Sequence, residues 1–280
     1  MLLGANHDLE NTIIIILSQK GSLSAEKILV ALKQNKKSVT IQGVYRVLRK
    51  LQNEGVIIKE KQSYSLRIPW LLDLGMLLEK MERNYLQTSY IEKLLPKTGK
   101  QKRTWHFTNL LKMNDFWSHV LLAMAKNSSE KIMIDYSPHA WFHLTQPEQE
   151  YQYLKTSLNS LKKEYSIIGG NTFLDKWVTK YWDFKNFEYY LAQSGYWTKI
   201  DPLLYINVID DFILKVKLDK KTTQAINKVY KEVGIENDLT AEKVLQVFRR
   251  KAKAKMTLVK DSIQAEKYFK RFEKIFGPIK

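Results

Sequence analysis

The spacing of apolar residues over the first 70 positions predicts three helices followed by a β-hairpin. Apolar residues recur three or four positions apart over residues 8–19, 24–35 and 40–54, which is the helical period. Ser24 and Thr40 are residue types that cap helix N-termini, and Gly55 stands where a glycine ends a helix. Two β-prone runs then flank a polar tip between residues 56 and 68, which is the pattern of a hairpin.

The next segment, residues 69–95, predicts a long helix with a repeating apolar seam. Its seam positions alternate at spacings of three and four, and they are Leu71, Leu74, Leu78, Met81, Tyr85 and Thr88. About two and a half heptads of this kind favour pairing of two helices in a homodimer. Packing of the same stripe on its own domain is the alternative. The basic stretch 97–103 then marks a domain boundary.

Strand and helix patterns alternate between residues 104 and 235, which predicts an α/β domain. Strands are expected at 105–111, 131–136, 165–168, 203–208 and 212–218, and helices at 114–127, 147–164 and 220–233. The aromatic stretch 171–195 is predicted to be helical or irregular. The fold class is therefore a multidomain α+β and α/β chain. Its parts are a winged helix (1–68), a linker helix (69–96), the α/β domain (104–235) and a basic helical tail (236–280).

Composition narrows the classes of protein that fit. The 280-residue chain has a net charge of +17, and residues 1–70 and 236–280 each contribute +6. Such a surface attracts polyanions such as nucleic acid or anionic lipid. The sequence contains no cysteine, which excludes disulfides and thiolate metal sites and fits a reducing cytoplasm. The apolar run at 13–17 is far shorter than the ~20 residues of a membrane span, so no membrane partner and no targeting segment is expected.

The third predicted helix combines an apolar core face with a basic outer face. Arginine and glutamine on such a face can contact base edges in the major groove, and lysines near the hairpin tip can contact phosphates. An ordinary solvated helix face is the alternative interpretation. The candidate DNA-binding residues are Thr40, Gln42, Gly43, Tyr45, Arg46, Arg49, Lys50, Lys59 and Lys61.

Residues 40–57, TIQGVYRVLRKLQNEGVI, resemble the third helix and the following wing of winged-helix transcription regulators. The domain order is similar to that of sugar-sensing TrmB-type regulators, whose α/β domain is phospholipase-D-like. The resemblance implies a cytoplasmic, homodimeric regulator that binds double-stranded DNA sequence-specifically and responds to a small-molecule or protein effector. A non-regulatory DNA-binding protein, in plasmid or chromosome maintenance or as an antitoxin, is the alternative. A nucleic-acid-processing enzyme is the third option.

Sequence motifs for catalysis are missing, so a non-enzymatic protein without a cofactor is predicted. The chain has no H-x-K motif of hydrolytic phospholipase-D domains, no P-loop and no G-x-G-x-x-G. Asp135, His139 and His143 form a weak metal-ligand pattern, but packing or surface roles are the preferred interpretation, and no metal is expected. Two glycines after a strand leave amides for an anion or a polar ligand. The ligand-binding residues predicted there are Gly169, Gly170, Asn171, Lys176 and Trp177.

Overall fold

The computed structural model describes residues 9–35, 38–85, 88–99, 101–181, 184–193, 197–235, 240, 247–248 and 251–279. The chain divides into two compact units, an N-terminal unit (Met1–Asn84) and a C-terminal unit (Tyr85–Lys280). Among the residues described, no helix combines the length and the apolar character that crossing a membrane requires.

The N-terminal unit packs helices on a small antiparallel sheet. Its helices are α1 (Leu9–Lys20), α2 (Ala25–Gln34), α3 (Ile41–Asn53) and α4 (Ile68–Tyr85), and its strands are β1 (Leu23–Ser24), β2 (Ile57–Glu60) and β3 (Ser63–Leu66). β3 lies between β1 and β2 and runs antiparallel to both. Buried residues of α1, α2 and α3, among them Ile13, Ile28 and Leu48, form one core with Ile57 and Tyr64 of the strands.

Side-chain caps fix where two of these helices begin. The Ser24 hydroxyl accepts a hydrogen bond from the Lys27 amide at 3.4 Å, and the Thr40 hydroxyl accepts one from the Gly43 amide at 3.2 Å. Such caps satisfy amides that have no partner within the helix. Gly55 follows α3 with a φ of +71°, a backbone conformation that favours glycine. Both caps and this glycine occupy the helix ends that the sequence predicts.

The C-terminal unit is built on a seven-stranded mixed sheet with helices on both faces. Its strands are β4 (Lys102–Phe107), β5 (Ile132–Ser137), β6 (Lys163–Ile168), β7 (Phe187–Leu191), β8 (Leu204–Ile209), β9 (Phe212–Leu218) and β10 (Ala254–Lys260). Its helices are α5 (Thr88–Glu92), α6 (Leu110–Lys126), α7 (Phe142–Thr145), α8 (Pro147–Ser160), α9 (Phe173–Tyr181), α10 (Lys220–Glu232) and α11 (Ser262–Phe276). The strand order is β4-β10-β9-β8-β5-β6-β7. β5, β6 and β7 are parallel, and the other pairings are antiparallel.

Alternate residues of the central strands enter two different cores, because successive side chains of a strand point to opposite faces. Tyr205 and Leu214 belong to the core that includes residues of α6. Ile206 and Ile213, one position away, pack with Phe272 of α11. The central strands are therefore covered on both faces, and a polar side chain on them is buried unless a cavity reaches it.

The C-terminal segment differs from the predicted helical tail. β10 is an interior strand between β4 and β9, and its Ala254, Met256 and Leu258 are buried while Lys255 is exposed. This alternation has the period of two that a strand requires. The predicted helical tail is therefore wrong over residues 254–260, and the chain is helical again in α11.

Two other segments also differ from the predicted elements. The stretch 171–195 contains α9 followed by an edge strand, β7, in place of a helical or irregular segment. β4 begins at Lys102, inside the predicted basic linker. The division into two units falls after Asn84, within the segment predicted as a linker helix.

Candidate functional site: a buried acidic cavity

A row of polar side chains crosses the seven-stranded sheet on the face that α6 covers. Asn207 of β8 pairs in register with Asp135 of β5, Asp135 with Ser166 of β6, and Ser166 with Tyr189 of β7. In-register partners project from the same face on strands ~4.8 Å apart. Glu164, two positions before Ser166, projects from the same face as well. The sheet thus places two carboxyl groups and their polar neighbours beneath the covering helices.

Helices α6, α7 and α8 add polar groups of their own above this row. Asn114 and Trp117 come from α6, His143 from α7 and Glu150 from α8, and all four are buried. Together with the strands they line a cavity of about 40 Å³, which is room for about three water molecules. The cavity, called the acidic cavity below, is also lined by Ser118, Leu121, Ala140, Phe142, Tyr153, Leu154 and Phe187.

Hydrogen bonds satisfy only part of the polar lining. The Ser166 hydroxyl donates to Asp135 Oδ2 at 2.9 Å, and the Trp117 indole donates to Asn207 Oδ1 at 2.8 Å. Asn114 donates to Glu150 Oε1 at 2.6 Å. Asp135 Oδ1 and Glu164 Oε2 have no partner, although these residues are only 6% and 4% exposed. A buried polar atom without a partner costs about 1–3 kcal/mol, so each of these two oxygens is an unmet acceptor in the cavity.

Burial perturbs the acid–base groups around the cavity in opposite directions. It raises the pKa of Asp135 and of Glu150 to about 7. It also raises the pKa of Glu164 well above its ordinary value, an effect that the charges of Asp135 and Glu150 strengthen. Burial lowers the pKa of His143 to about 3, so its imidazole is neutral. Carboxyl groups that titrate near neutral pH can exchange a proton with a bound molecule.

The immediate surroundings supply no compensating cation. No lysine or arginine is among the described residues that line the cavity. His143 lies 4.0 Å from Glu150 and 3.5 Å from the Tyr189 hydroxyl, but it is neutral and contributes no positive charge. The cavity is therefore an acidic interior site in a chain whose net charge is +17.

A second polar cluster lies where the parallel strands β5 and β6 end. His139 Nδ1 is 2.9 Å from Asp175 Oδ1, and the Thr172 amide and hydroxyl donate to Asp175 Oδ2 at 2.9 and 2.8 Å. Asp175 is fully buried, and the His139 ring stacks on Tyr230 at 4.1 Å. Asp175 thus joins the start of α9 to the His139 ring through its two carboxyl oxygens.

The predicted ligand-binding residues lie beside this second cluster. None of Gly169, Gly170, Asn171, Lys176 and Trp177 is among the residues that line the acidic cavity. The Gly169 amide is not free for an anion, because it donates to the Ser137 carbonyl at 2.8 Å. A Cβ on Gly170 would lie 2.6 Å from His139 Nδ1, and closer still to an Asp175 oxygen. Close packing therefore accounts for glycine at this position.

The predicted DNA-binding residues lie on α3 and the β2–β3 hairpin. Gln42, Arg46, Arg49 and Lys61 are exposed, and Gly43 is partly buried. Thr40 is used as the α3 cap. Tyr45 donates to Glu26 at 3.1 Å, Lys50 pairs with Glu10 at 2.6 Å, and Lys59 lies over the Tyr64 ring at 5.7 Å. Four of the nine residues, Thr40, Tyr45, Lys50 and Lys59, thus have side-chain partners within the N-terminal unit.

The histidines considered as metal ligands in the sequence have different neighbours. His139 pairs with Asp175, whereas His143 and Asp135 both line the acidic cavity. The described part of the chain contains no group of three or more histidine, aspartate or glutamate side chains placed to hold a metal ion. Glu150, Glu164 and Asn207 did not emerge from motif search. The available signal was a polar residue inside an otherwise apolar strand, as in the run YINVI of β8.

Known proteins show little similarity to this chain. No family model matches the sequence, and no curated protein matches it. Among solved structures, the chain is similar to the phosphatidylserine synthase of Haemophilus influenzae Rd KW20, with 10% sequence identity and a TM-score of 0.30. The match covers 85% of this chain, which spans 46% of that synthase chain. A likeness at this level does not assign the activity of the synthase to this chain.

These comparisons give no support to the function expected from the sequence. The predicted membership of the winged-helix, TrmB-type regulators has no support from any family model or curated protein. No comparison supports the expectations of a sequence-specific DNA-binding regulator and of a non-enzymatic protein, and both are withdrawn. The order of helices and hairpin in the first 68 residues is too general a pattern to carry the first, and missing motifs do not carry the second.

Proposed function

We propose that the C-terminal unit binds a small molecule in the acidic cavity. The observation that supports this most is the pair of buried carboxyl oxygens without a partner, Asp135 Oδ1 and Glu164 Oε2. Protein interiors pair almost all their buried polar atoms, and a buried charge without a counter-charge destabilises the fold. Such groups persist where a ligand or a reaction needs them.

The lining residues belong to several separate helices and strands, which favours a binding site over a local packing defect. The polar side chains come from β5, β6, β8, α6, α7 and α8, and they converge on one space. An apolar residue at Asp135 or Glu164 would remove the desolvation cost of each carboxyl group. A concave site with a few convergent polar groups and perturbed pKa values is the arrangement expected for ligand binding.

The test is binding of small polar molecules to the wild-type chain and to a variant whose cavity is filled. Ala140 lines the cavity and is 2% exposed, so Ala140→Leu should fill it. Ala192→Leu is the matched control, because Ala192 is equally buried but belongs to the core on the other sheet face. Compounds found by thermal shift should bind Ala140→Leu at least about tenfold more weakly, a loss of about 1.4 kcal/mol. Equal affinity in Ala140→Leu and wild type, or no ligand at millimolar concentration, would contradict the proposal.

We also propose a cytoplasmic location. It is supported by the absence of cysteine from the sequence, which fits a reducing compartment.

A further inference from the structure

We infer that the ligand of the acidic cavity is a small organic cation that carries an ammonium group. The inference rests on the proposed binding function and adds the chemical class of the ligand to it.

The charge of the lining favours a cation over a neutral or anionic ligand. Asp135, Glu150 and Glu164 all line the cavity, and no lysine or arginine is among the described lining residues. An ammonium group brings donors and no acceptor, which matches the two unpartnered oxygens, Asp135 Oδ1 and Glu164 Oε2. A neutral polyol would satisfy these oxygens but would leave the carboxylates without a counter-charge, and an anion would be repelled.

The remaining walls suit the carbon portion of such a cation. Trp117, Phe142 and Phe187 line the cavity together with Leu121 and Leu154. Aromatic rings attract ammonium groups, and aliphatic side chains accommodate methylene groups. The volume of about 40 Å³ limits the enclosed part of the ligand to about three non-hydrogen atoms. Ethylammonium has this size and is the simplest test compound.

The titratable groups near the cavity come from β5, β6, β7, α6, α7 and α8, while β8 contributes the uncharged Asn207. They are Asp135 on β5, Glu164 on β6, Tyr189 on β7, His143 on α7, Glu150 and Tyr153 on α8, and Asp115 on α6, whose charge acts on Glu150. With His143 neutral, none of these groups carries a positive charge that would oppose a bound cation.

The experiment compares ethylammonium, ethanol and acetate by ligand-observed NMR titration of the full chain at about pH 8, where the carboxyl groups with a pKa of about 7 are ionised. Ethylammonium should bind in the millimolar range expected for so small a ligand, and at least about tenfold more tightly than the other two. Asp135→Asn and Glu164→Gln keep the shape of the cavity and should each weaken ethylammonium binding about tenfold or more. Glu148→Gln, on the exposed side of α8, should leave it unchanged.

The other outcomes distinguish a wrong ligand class from the absence of a binding site. Ethanol or acetate bound more tightly than ethylammonium, and lost in Ala140→Leu, would overturn the ligand class while supporting a binding site. Displacement of ethylammonium by micromolar divalent metal would identify a metal ion as the occupant and overturn the organic cation. Binding of none of the three compounds would count against the site itself. The wild-type comparison of three compounds stands even if a variant does not fold.

Discussion

The stability of the chain should depend on pH through Glu150, and replacing this residue should remove that dependence. Burial raises the pKa of Glu150 from 4.5 to about 7. The unfolded chain loses this proton near pH 4.5, whereas the folded chain keeps it until about pH 7. The contribution of Glu150 to stability is therefore fully present below pH 4.5 and is lost as pH rises through 7. The loss is about 3 kcal/mol, at 1.36 kcal/mol for each pKa unit.

Glu150→Gln isolates this contribution because glutamine has nearly the same shape and does not titrate. Its amide oxygen can still accept the hydrogen bond from Asn114. We expect the variant and the wild type to unfold with similar free energies near pH 4.5, and the variant to be about 3 kcal/mol more stable near pH 8. His143, whose pKa burial lowers to about 3, acts with the opposite sign. Its contribution is lost as pH falls below 6.5, but it is the same in both proteins and cancels in the difference.

The assay is urea unfolding followed by tryptophan fluorescence at several pH values. Six of the seven tryptophans belong to the C-terminal unit, so the signal reports mainly on the unit that contains Glu150. Glu148→Gln is the control, because Glu148 lies on the same helix but is exposed. Parallel pH profiles for wild type and Glu150→Gln would show that burial does not hold Glu150 in its neutral form, and the raised pKa of Glu150 would then be refuted.

Three further predictions concern other parts of the molecule. Binding of ethylammonium should weaken as pH falls below about 7, by up to tenfold per pH unit for each proton that the cation must displace; titrations near pH 6 and 8 with equal affinities would contradict this. Gly170→Ala should destabilise the chain by about 1–3 kcal/mol, because a Cβ meets Asp175 and His139. In Gly75→Ala, in α4, the added Cβ meets nothing, and this variant should be more stable than wild type by up to about 1 kcal/mol. Thermal unfolding measures both changes. The homodimer predicted from the heptad seam should give twice the 33.0 kDa chain mass in light scattering. Leu78→Asp, at an exposed seam position, should lower the measured mass to that of one chain. A wild-type protein with the mass of one chain would contradict the homodimer.

Several elements could be predicted from the sequence because one physical signal dominates each of them. α3 has a cap at Thr40, buried residues at helical spacing and a glycine at its end. These local signals are enough to predict where the helix begins and ends. β8 and β9 are two apolar runs joined at Asp210, whose φ is +50°. In these segments local conformation and burial favour the same structure, so tertiary contacts change little.

The sheet order and β10 could not be predicted in the same way. The alternation of Ala254, Met256 and Leu258 with Lys255 is present in the sequence, but lysines four residues apart also match a helix face. Pairing of β10 with both β4 and β9 decides between the two, and these partners are about 40 to 150 residues away in the sequence. Where a sequence fits both the strand period and the helix period, only long-range contacts decide which structure forms.

The acidic cavity was inaccessible to motif search for a related reason. Its carboxyl groups come from separate elements and match no spaced pattern, since register and not sequence spacing places Asp135 beside Asn207 and Ser166. The sequence did mark Asp135 and His143, but as candidate metal ligands with each other. Only the fold shows that the acids share a cavity without a cation.

The most direct test of the acidic cavity as a binding site is a crystal structure of the chain soaked with ethylammonium. We expect density for the cation inside the cavity, with its nitrogen within hydrogen-bond distance of Asp135 Oδ1 and Glu164 Oε2. A cavity that stays empty under these conditions, with the two carboxyl groups hydrogen-bonded to one another, would contradict it.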